Sequence, residues 1–456
     1  MRPIFMIALL VGALSSSPGC SDTKVDPPNK DTTGDGAGIS SAEDIPNAST
    51  ETVDTLLSQD GSMGDHDASE TESKPLPKLE SPLIFEPGSG DATPRVQTAV
   101  ALGSASDVAV VWTGANEDNS LGIRFGLYGL DGSIKAAPYR LSTSTQGVQN
   151  EPSVCALSEG GFVVAWSRDT QSLGPDGENL EIRFRIVDAD GLPLQENDTR
   201  VLSEVPGNHW LAEVACTPSG GFVVAGVRPD TDGITFGVFA WRYDKDGAPE
   251  GTAVALNTTP EGTQTFPDVA VNANGAVVVV WSDQVDLETG ESQDRVLLRW
   301  LPASGDPGDL HVIAGSTTTP ALMGQVASSY ESSNASVAAL LAGGTLGLWS
   351  LGEEGNSEEI VIPGLGSGLK NPAISSVSSN TYALAYQQGE GAQASLKVVF
   401  LDEDLPNSSP TIIESGPQLP YPLSLDSSGG VQALGWTIRD AEGDYRTRVA
   451  IFEGPQ

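Results

Sequence analysis

Hydrophobic residues along the chain gather in short continuous runs rather than at helical spacing. The clearest run is Gly160-Gly161-Phe162-Val163-Val164-Ala165-Trp166-Ser167, a glycine turn leading into β-branched residues that close on an aromatic. Such a run predicts one buried strand. Related runs stand at Asp107-Val108-Ala109-Val110-Val111-Trp112, Gly221-Phe222-Val223-Val224-Ala225-Gly226 and Gly275-Ala276-Val277-Val278-Val279-Val280-Trp281. Weaker copies follow at Ser336-Val337-Ala338-Ala339-Leu340-Leu341, Thr381-Tyr382-Ala383-Leu384-Ala385-Tyr386 and Val431-Gln432-Ala433-Leu434-Gly435-Trp436. Successive copies end about 45 to 60 residues apart, room for four short strands each, which is the size of a β-propeller blade.

The other strands of each unit are also visible. A proline-led run precedes the anchor strand, as at Pro94, Pro152, Pro267, Pro372 and Pro422. Proline disturbs a ladder least at its first residue, so these prolines predict strand starts. After the anchor come a polar loop and an alternating strand such as Ile182-Arg183-Phe184-Arg185-Ile186-Val187, then turns such as Asp188-Ala189-Asp190-Gly191 and Asp244-Lys245-Asp246-Gly247. Glycine after aspartate supplies the positive φ of a tight hairpin. Outer strands are expected near residues 199–202, 252–256, 310–313, 359–362 and 411–413. The seventh unit lacks an outer strand, and residues 81–87 are expected to supply it, closing the ring and covering an open edge. The expected fold is all-β, a seven-bladed propeller of four-stranded blades over residues 81–456.

The N-terminus reads differently. Arg2 is followed by an apolar run over residues 4–14, too short to span a bilayer, which predicts an export signal over residues 1–19. Residues 20–80 hold no Phe, Trp or Tyr between Ser21 and Glu80, where 14 acidic residues face 4 basic ones. Too little apolar surface is available there to offset ordering entropy, so a disordered acidic linker is expected.

Charge and composition narrow the function classes. Asp+Glu 61 against Lys+Arg 23 gives a net charge of -38, which repels nucleic acid and anionic membrane surfaces. The three histidines, His66, His209 and His311, are scattered, and neither a Gly-x-Ser-x-Gly elbow, a His-Glu-x-x-His helix nor a Cys-x-x-Cys pair occurs. No catalytic residues, metal site or cofactor are predicted. The Asp-x-Asp-Gly turns read as hairpin chemistry, and a bound Ca²⁺ stays open at this stage. Cys155 and Cys216 fall in the inner strands of units two and three and are the candidates for a disulfide in an exported chain, the alternative being two small buried hydrophobes. Trp112, Trp166, Trp281 and Trp436 recur at one place in the unit, as packing between blades would require. His209 and Trp210 depart from the repeat just before an inner strand and are the candidate ligand contacts at a channel mouth.

Two resemblances add to this reading. Ser17-Pro18-Gly19-Cys20 resembles the lipobox of bacterial lipoproteins, although Ser17 stands where Leu is usual. It implies lipidation at Cys20 and, with Ser21 following, sorting to the outer membrane. The Gly-Gly-Phe-Val-Val-Ala-Trp-Ser run, with its Arg-containing strand and Asp-x-x-Gly turn, resembles repeats in uncharacterised bacterial secreted and surface proteins that look like β-propellers. That family carries no catalytic residues to transfer. The chain is therefore expected to be a monomeric, envelope-anchored lipoprotein whose head is a non-enzymatic binding or scaffold module for a protein or glycan. The alternative is a carbohydrate-active hydrolase or lyase working through Asp and Glu at the channel mouth.

Overall fold

A computed structural model describes residues 82–454, apart from 89–94, 105, 116–119, 146, 171–179, 202–207, 230–234, 259–261, 287–291, 305, 317–320, 329–332, 353–356, 361–364, 403–408, 417–418 and 441. The predicted signal 1–19, Cys20, the linker 20–80 and His66 lie outside the described residues. Among the described residues there is no α-helix and one 3-10 turn, Gly391–Gln393.

All seven anchor runs are strands: Asp107–Ala115, Phe162–Asp169, Phe222–Pro229, Val277–Asp286, Ala335–Leu341, Thr381–Gln388 and Val431–Arg439. Each is the second strand of its unit, hydrogen-bonded to an inner strand on one side and to the third strand on the other. Both faces are covered by neighbouring units, which is why these strands are apolar along their length instead of alternating. The inner strands are Arg95–Gly103, Val148–Ala156, Trp210–Cys216, Thr263–Val271, Ala321–Ser328, Leu369–Ser376 and Ser424–Ser428. Each touches the next, and Ser424–Ser428 touches Arg95–Gly103, so they close a ring. The architecture is an all-β propeller of four-stranded blades.

Two expectations need correction. The structure holds five separate four-stranded sheets, not seven; units three and four are joined in one eight-stranded sheet. A single parallel pair, Phe236 opposite Thr263, makes that join, where the third strand of unit three meets the inner strand of unit four. Of the five prolines expected to start strands, Pro422 stands two residues ahead of Ser424–Ser428 and Pro94 lies outside the described residues, but Pro152, Pro267 and Pro372 lie inside inner strands.

Those prolines mark bulges. Two inner-strand residues face one anchor residue between Val96 and Ala99, Asn150 and Ser153, Trp210 and Glu213, Thr265 and Asp268, Leu322 and Gln325, and Lys370 and Ala373. The register places Trp112, Trp166, Gly226, Trp281, Ala339 and Tyr386 opposite these insertions. A bulged residue is left out of the ladder, so proline loses no hydrogen bond there. The first residue of each bulge has positive φ: Gln97 (54°), Glu151 (54°), Leu211 (56°), Phe266 (51°), Met323 (55°) and Asn371 (51°). None is glycine, so the conformation is held by its surroundings at a strain cost.

The core is distributed among the junctions between units, seven clusters among the described residues. Trp112 packs between units seven and one, Trp166 between one and two, Trp281 between three and four, and Trp436 between six and seven. Unit three has Gly226 where units one, two, four and seven have Trp. A Cβ there would sit 2.4 Å from Ile182 Cδ1, and the indole of Trp241, one strand away, fills the space instead. Trp349 serves in the same way between units four and five.

The ring closes with strand exchange. Leu83–Phe85 pairs antiparallel with Tyr445–Glu453, Leu83 opposite Ile451 and Phe85 opposite Val449, and becomes the outer strand of the last unit. The Phe85 ring lies 5.1 Å from that of Tyr128 in unit one.

Candidate functional site

The inner strands surround the central channel, and the bulges lie toward the end where those strands begin. There the ring is stitched from unit to unit. Ser167, next after Trp166, accepts the N–H of Leu211 at 2.9 Å; Ser282, next after Trp281, accepts that of Met323 at 3.0 Å. In unit one the task is shared: Gln97 Oε1 accepts from Thr113 Oγ1 at 3.0 Å and from the Glu151 N–H at 3.1 Å. The residue after the aromatic thus ties down the strained bulge of the following unit, which explains the Trp-Ser pairing in the repeat.

Four carboxylates sit on the inner strands: Glu151, Glu213 and Asp268 in or directly after the bulges, and Asp426 farther along, beside Leu102 near the end of Arg95–Gly103. Asp268 Oδ2 accepts the Val326 N–H at 2.8 Å, binding unit four to five. Asp426 Oδ2 accepts the Leu102 N–H at 2.7 Å, binding unit seven to one, beside Ser424 Oγ, which accepts from Val100 at 3.0 Å. Ser153 Oγ accepts from the Val214 N–H at 3.1 Å and also meets the Glu213 carboxyl. Each acid keeps a little accessible surface while protein atoms close around it. Burial disfavours their charged forms. It pushes Glu213 up to about 8, helped by the charges of Asp268 and Glu151 and opposed by Ser153. Burial lifts Asp268 to about 6 against the pull of the Val326 and Val269 N–H groups, and Asp426 to about 6 against Leu102 and Ser427. Glu151 is raised by burial as well, against a hydrogen bond from Ser167. Glu151, Glu213 and Asp268 come from three consecutive inner strands, near enough for the charges of Asp268 and Glu151 to raise Glu213 further. Phe266, in the bulge two residues before Asp268, is 44% exposed.

The residues singled out in the sequence sit elsewhere. His209 is 4% exposed, with its ring 6.3 Å from that of Trp241, and Trp210 packs edge-on against Phe236 at 4.7 Å. His209 lies beside the Trp241 indole near the Gly226 position, whereas Trp210 packs with the cluster between units three and four. Cys155 and Cys216 are joined by a disulfide, with Cα atoms 5.6 Å apart, across the seam between units two and three. His311 pairs with Leu298 in an outer strand. In the aspartate turns, Asp188 Oδ1 accepts the N–H groups of Asp190 and Leu192, at 3.0 and 2.8 Å, and Asp244 Oδ1 those of Asp246 and Ala248 at the same distances. Among the described residues no three His, Cys, Asp or Glu side chains are placed to share a metal ion.

The channel acids were invisible in the sequence because nothing local distinguishes them among 61 acidic residues. A weak signal existed: Glu151-Pro152 occupies the same place as Phe266-Pro267 and Asn371-Pro372.

No protein-family model matches the chain, and no curated protein matches it. Solved structures do resemble it. The polysaccharide lyase Uly1 is 7% identical with a TM-score of 0.51, over 84% of this chain and 100% of the lyase. A variant of puromycin hydrolase is 13% identical with a TM-score of 0.50, over 78% of this chain; the chain spans about half, 53%, of that hydrolase. The β-propeller domain of the Trilobed protease from Pyrococcus furiosus is 11% identical with a TM-score of 0.46, over 78% of this chain and 93% of that domain. At these identities the likeness concerns the fold alone.

Proposed function

We propose that this chain is a bacterial envelope lipoprotein whose head is a non-enzymatic binding or scaffold module for a protein or glycan. Residues 1–19 act as the export signal, Cys20 carries the lipid, residues 20–80 form an acidic linker, and the outer membrane is the destination. The propeller is read as seven repeat units, each half of the eight-stranded sheet counting as one. It works as a monomer and avoids nucleic acid because of its charge.

The observation that carries the non-enzymatic reading is how the channel acids are used. Asp268 and Asp426 each give an oxygen to a backbone N–H of the next unit. Those oxygens hold the ring together.

A second reading, a glycan hydrolase or lyase, draws on a different observation. Burial raises Glu213 to about 8 and Asp268 to about 6, so that near neutral pH one acid retains its proton while its neighbour is largely ionised. Acid and base catalysis on a sugar needs such a division.

The two readings separate in one experiment. The purified full-length chain is passed over immobilised cell-wall, capsular and host-type glycans and over envelope protein extracts, with retention and new reducing ends both recorded. Saturable retention without release supports the binding module. Release of reducing ends that vanishes in Glu213→Gln or Asp268→Asn establishes the hydrolytic reading.

A further inference from the structure

Unit seven carries a polar residue at a place where the repeat is otherwise apolar. Four residues before Trp112, Trp166, Gly226, Trp281, Ala339 and Tyr386, the anchor strands hold Val108, Phe162, Phe222, Val277, Ala335 and Tyr382, all of them buried. Four residues before Trp436 the same place is taken by Gln432, which is 0% exposed. Its strand face looks toward unit six. Leu434 and Trp436, two and four residues farther along, lie in the cluster between units six and seven, and residues two apart share a strand face. The cross-strand partners of Gln432 are Ser427 in the inner strand and Phe452 in the third, so they flank it on that face. Phe452 belongs to the same cluster, its ring 6.4 Å from that of Phe400 in unit six.

The amide is left without a protein partner. Gln432 Nε2, Gln432 Oε1 and Ser427 Oγ are all buried, and none of them is hydrogen-bonded to another protein atom. Nor is the nearest backbone able to serve. The amide lies against Gly454, where a Cβ would come within 2.7 Å of Oε1 and 2.8 Å of Nε2, but the Gly454 N–H is given to Gly430 O at 2.8 Å. An amide unbonded and away from water is costly, and an apolar residue, as in the other six units, would avoid that cost. Buried polar groups that lack a protein partner are met by enclosed water, which makes about three hydrogen bonds. The two amide atoms and the hydroxyl supply that number. Neither cross-strand partner is charged, and a site closed to solvent suits the smallest neutral donor and acceptor, water.

We propose that the junction between units six and seven encloses an ordered water, held by the Gln432 amide and the Ser427 hydroxyl. The site lies where the third strands finish, since Gln432 is near the start of Val431–Arg439 and Phe452 near the end of Tyr445–Glu453. That is the end opposite the bulges, so the water is independent of whatever the channel mouth binds. It gives the unit that closes the ring a wet joint at a place where the other units pack dry side chains.

Oxygen-17 relaxation dispersion of the solvent counts slowly exchanging waters and is blind to hydroxyl protons. On the purified full-length chain, Gln432→Met, which keeps the length of the side chain and removes its amide, is expected to lose about one such water relative to the wild type. Equal counts in the two proteins would overturn the proposal. If Gln432→Met does not fold, the wild type alone decides through nuclear magnetic resonance, with the Gln432 side-chain amide assigned by through-bond correlation to its own backbone. A rotating-frame cross-peak between the Nε2 protons and water is expected, because bulk solvent does not reach them. An amide that shows no such cross-peak is dry, and the enclosed water is then ruled out.

Discussion

The seam between units two and three and the seam between units seven and one do the same job with different means. The first lies between consecutive units and lacks the anchor tryptophan. Gly226 stands in its place, and the seam is filled by Trp241 and His209 and crossed by Cys155–Cys216. The second joins units that are far apart in sequence, and it retains Trp112. Thr98 Oγ1 there meets Thr437 Oγ1 at 3.1 Å and Thr447 Oγ1 at 3.0 Å, and Leu83–Phe85 completes the last sheet. The difference teaches that ring closure needs no covalent bond once a strand from one terminus is built into the sheet of the other. The disulfide serves instead where the packing pattern was altered.

Removing mass from each seam is the severest way to test this comparison. Trp112→Ala at the closing seam is expected to cost about 3–5 kcal/mol, the range for a fully buried large aromatic, measured by urea unfolding. Trp241→Ala should cost a similar amount; a loss below about 1 kcal/mol would show that Trp241 does not replace the missing anchor indole. Cys155→Ala/Cys216→Ala should cost about 4 kcal/mol, because the bond closes a loop with a sequence separation of 61. Dithiothreitol should lower the melting temperature of the wild type and leave that variant unchanged.

Deleting residues 83–85 opens the other seam. Since Leu83 and Ile84 are half-exposed, the loss comes mainly from Phe85 and amounts to about 2–3 kcal/mol. Self-association should accompany it, because Tyr445–Glu453 then presents an unpaired edge. Light scattering that shows no association would place closure elsewhere.

The smallest effect separates the seams by pH. Glu213 and Asp426 both have raised folded pKa values, so each gives stability that is complete below its unfolded pKa and lost as pH climbs through the folded one. For Asp426 that window runs from 3.8 to about 6, and for Glu213 from 4.5 to about 8. Glu213→Gln should flatten the decline between pH 6 and 8 by about 1–2 kcal/mol after allowing for solvent screening. Asp426→Asn should act only below that range. A wild type whose melting temperature does not fall from pH 5 to 8 would contradict both.

The repeat was legible because its signal is local: a glycine turn, five or six apolar residues and an aromatic lie within one strand. The closing strand was legible too, since the last unit ends one strand short. What escaped was whatever depends on the ring. Thr98, Thr437 and Thr447 meet across 339 and 349 residues, and no window of sequence brings them together. Pro152, Pro267 and Pro372 were visible but ambiguous, because a strand start and a bulge both tolerate a missing N–H. His209 and Trp210 were noticed for breaking the pattern, but the sequence could not show that His209 lies beside Trp241 and Trp210 against Phe236. The acids Glu151, Glu213 and Asp268 acquire their character from mutual burial, a property of the assembled channel.

The exchanged strand also sets a clock. Leu83 must wait for Ile451, and at ribosomal rates of about 5–20 residues per second the wait is roughly 20–70 s. Through that time Leu83–Phe85 lacks the strand it pairs with. Its three-residue length makes it a poor template for stray pairing during the delay. The joining of Leu83–Phe85 to Tyr445–Glu453 is a contact of very high sequence separation, the kind whose loop-closure entropy slows folding.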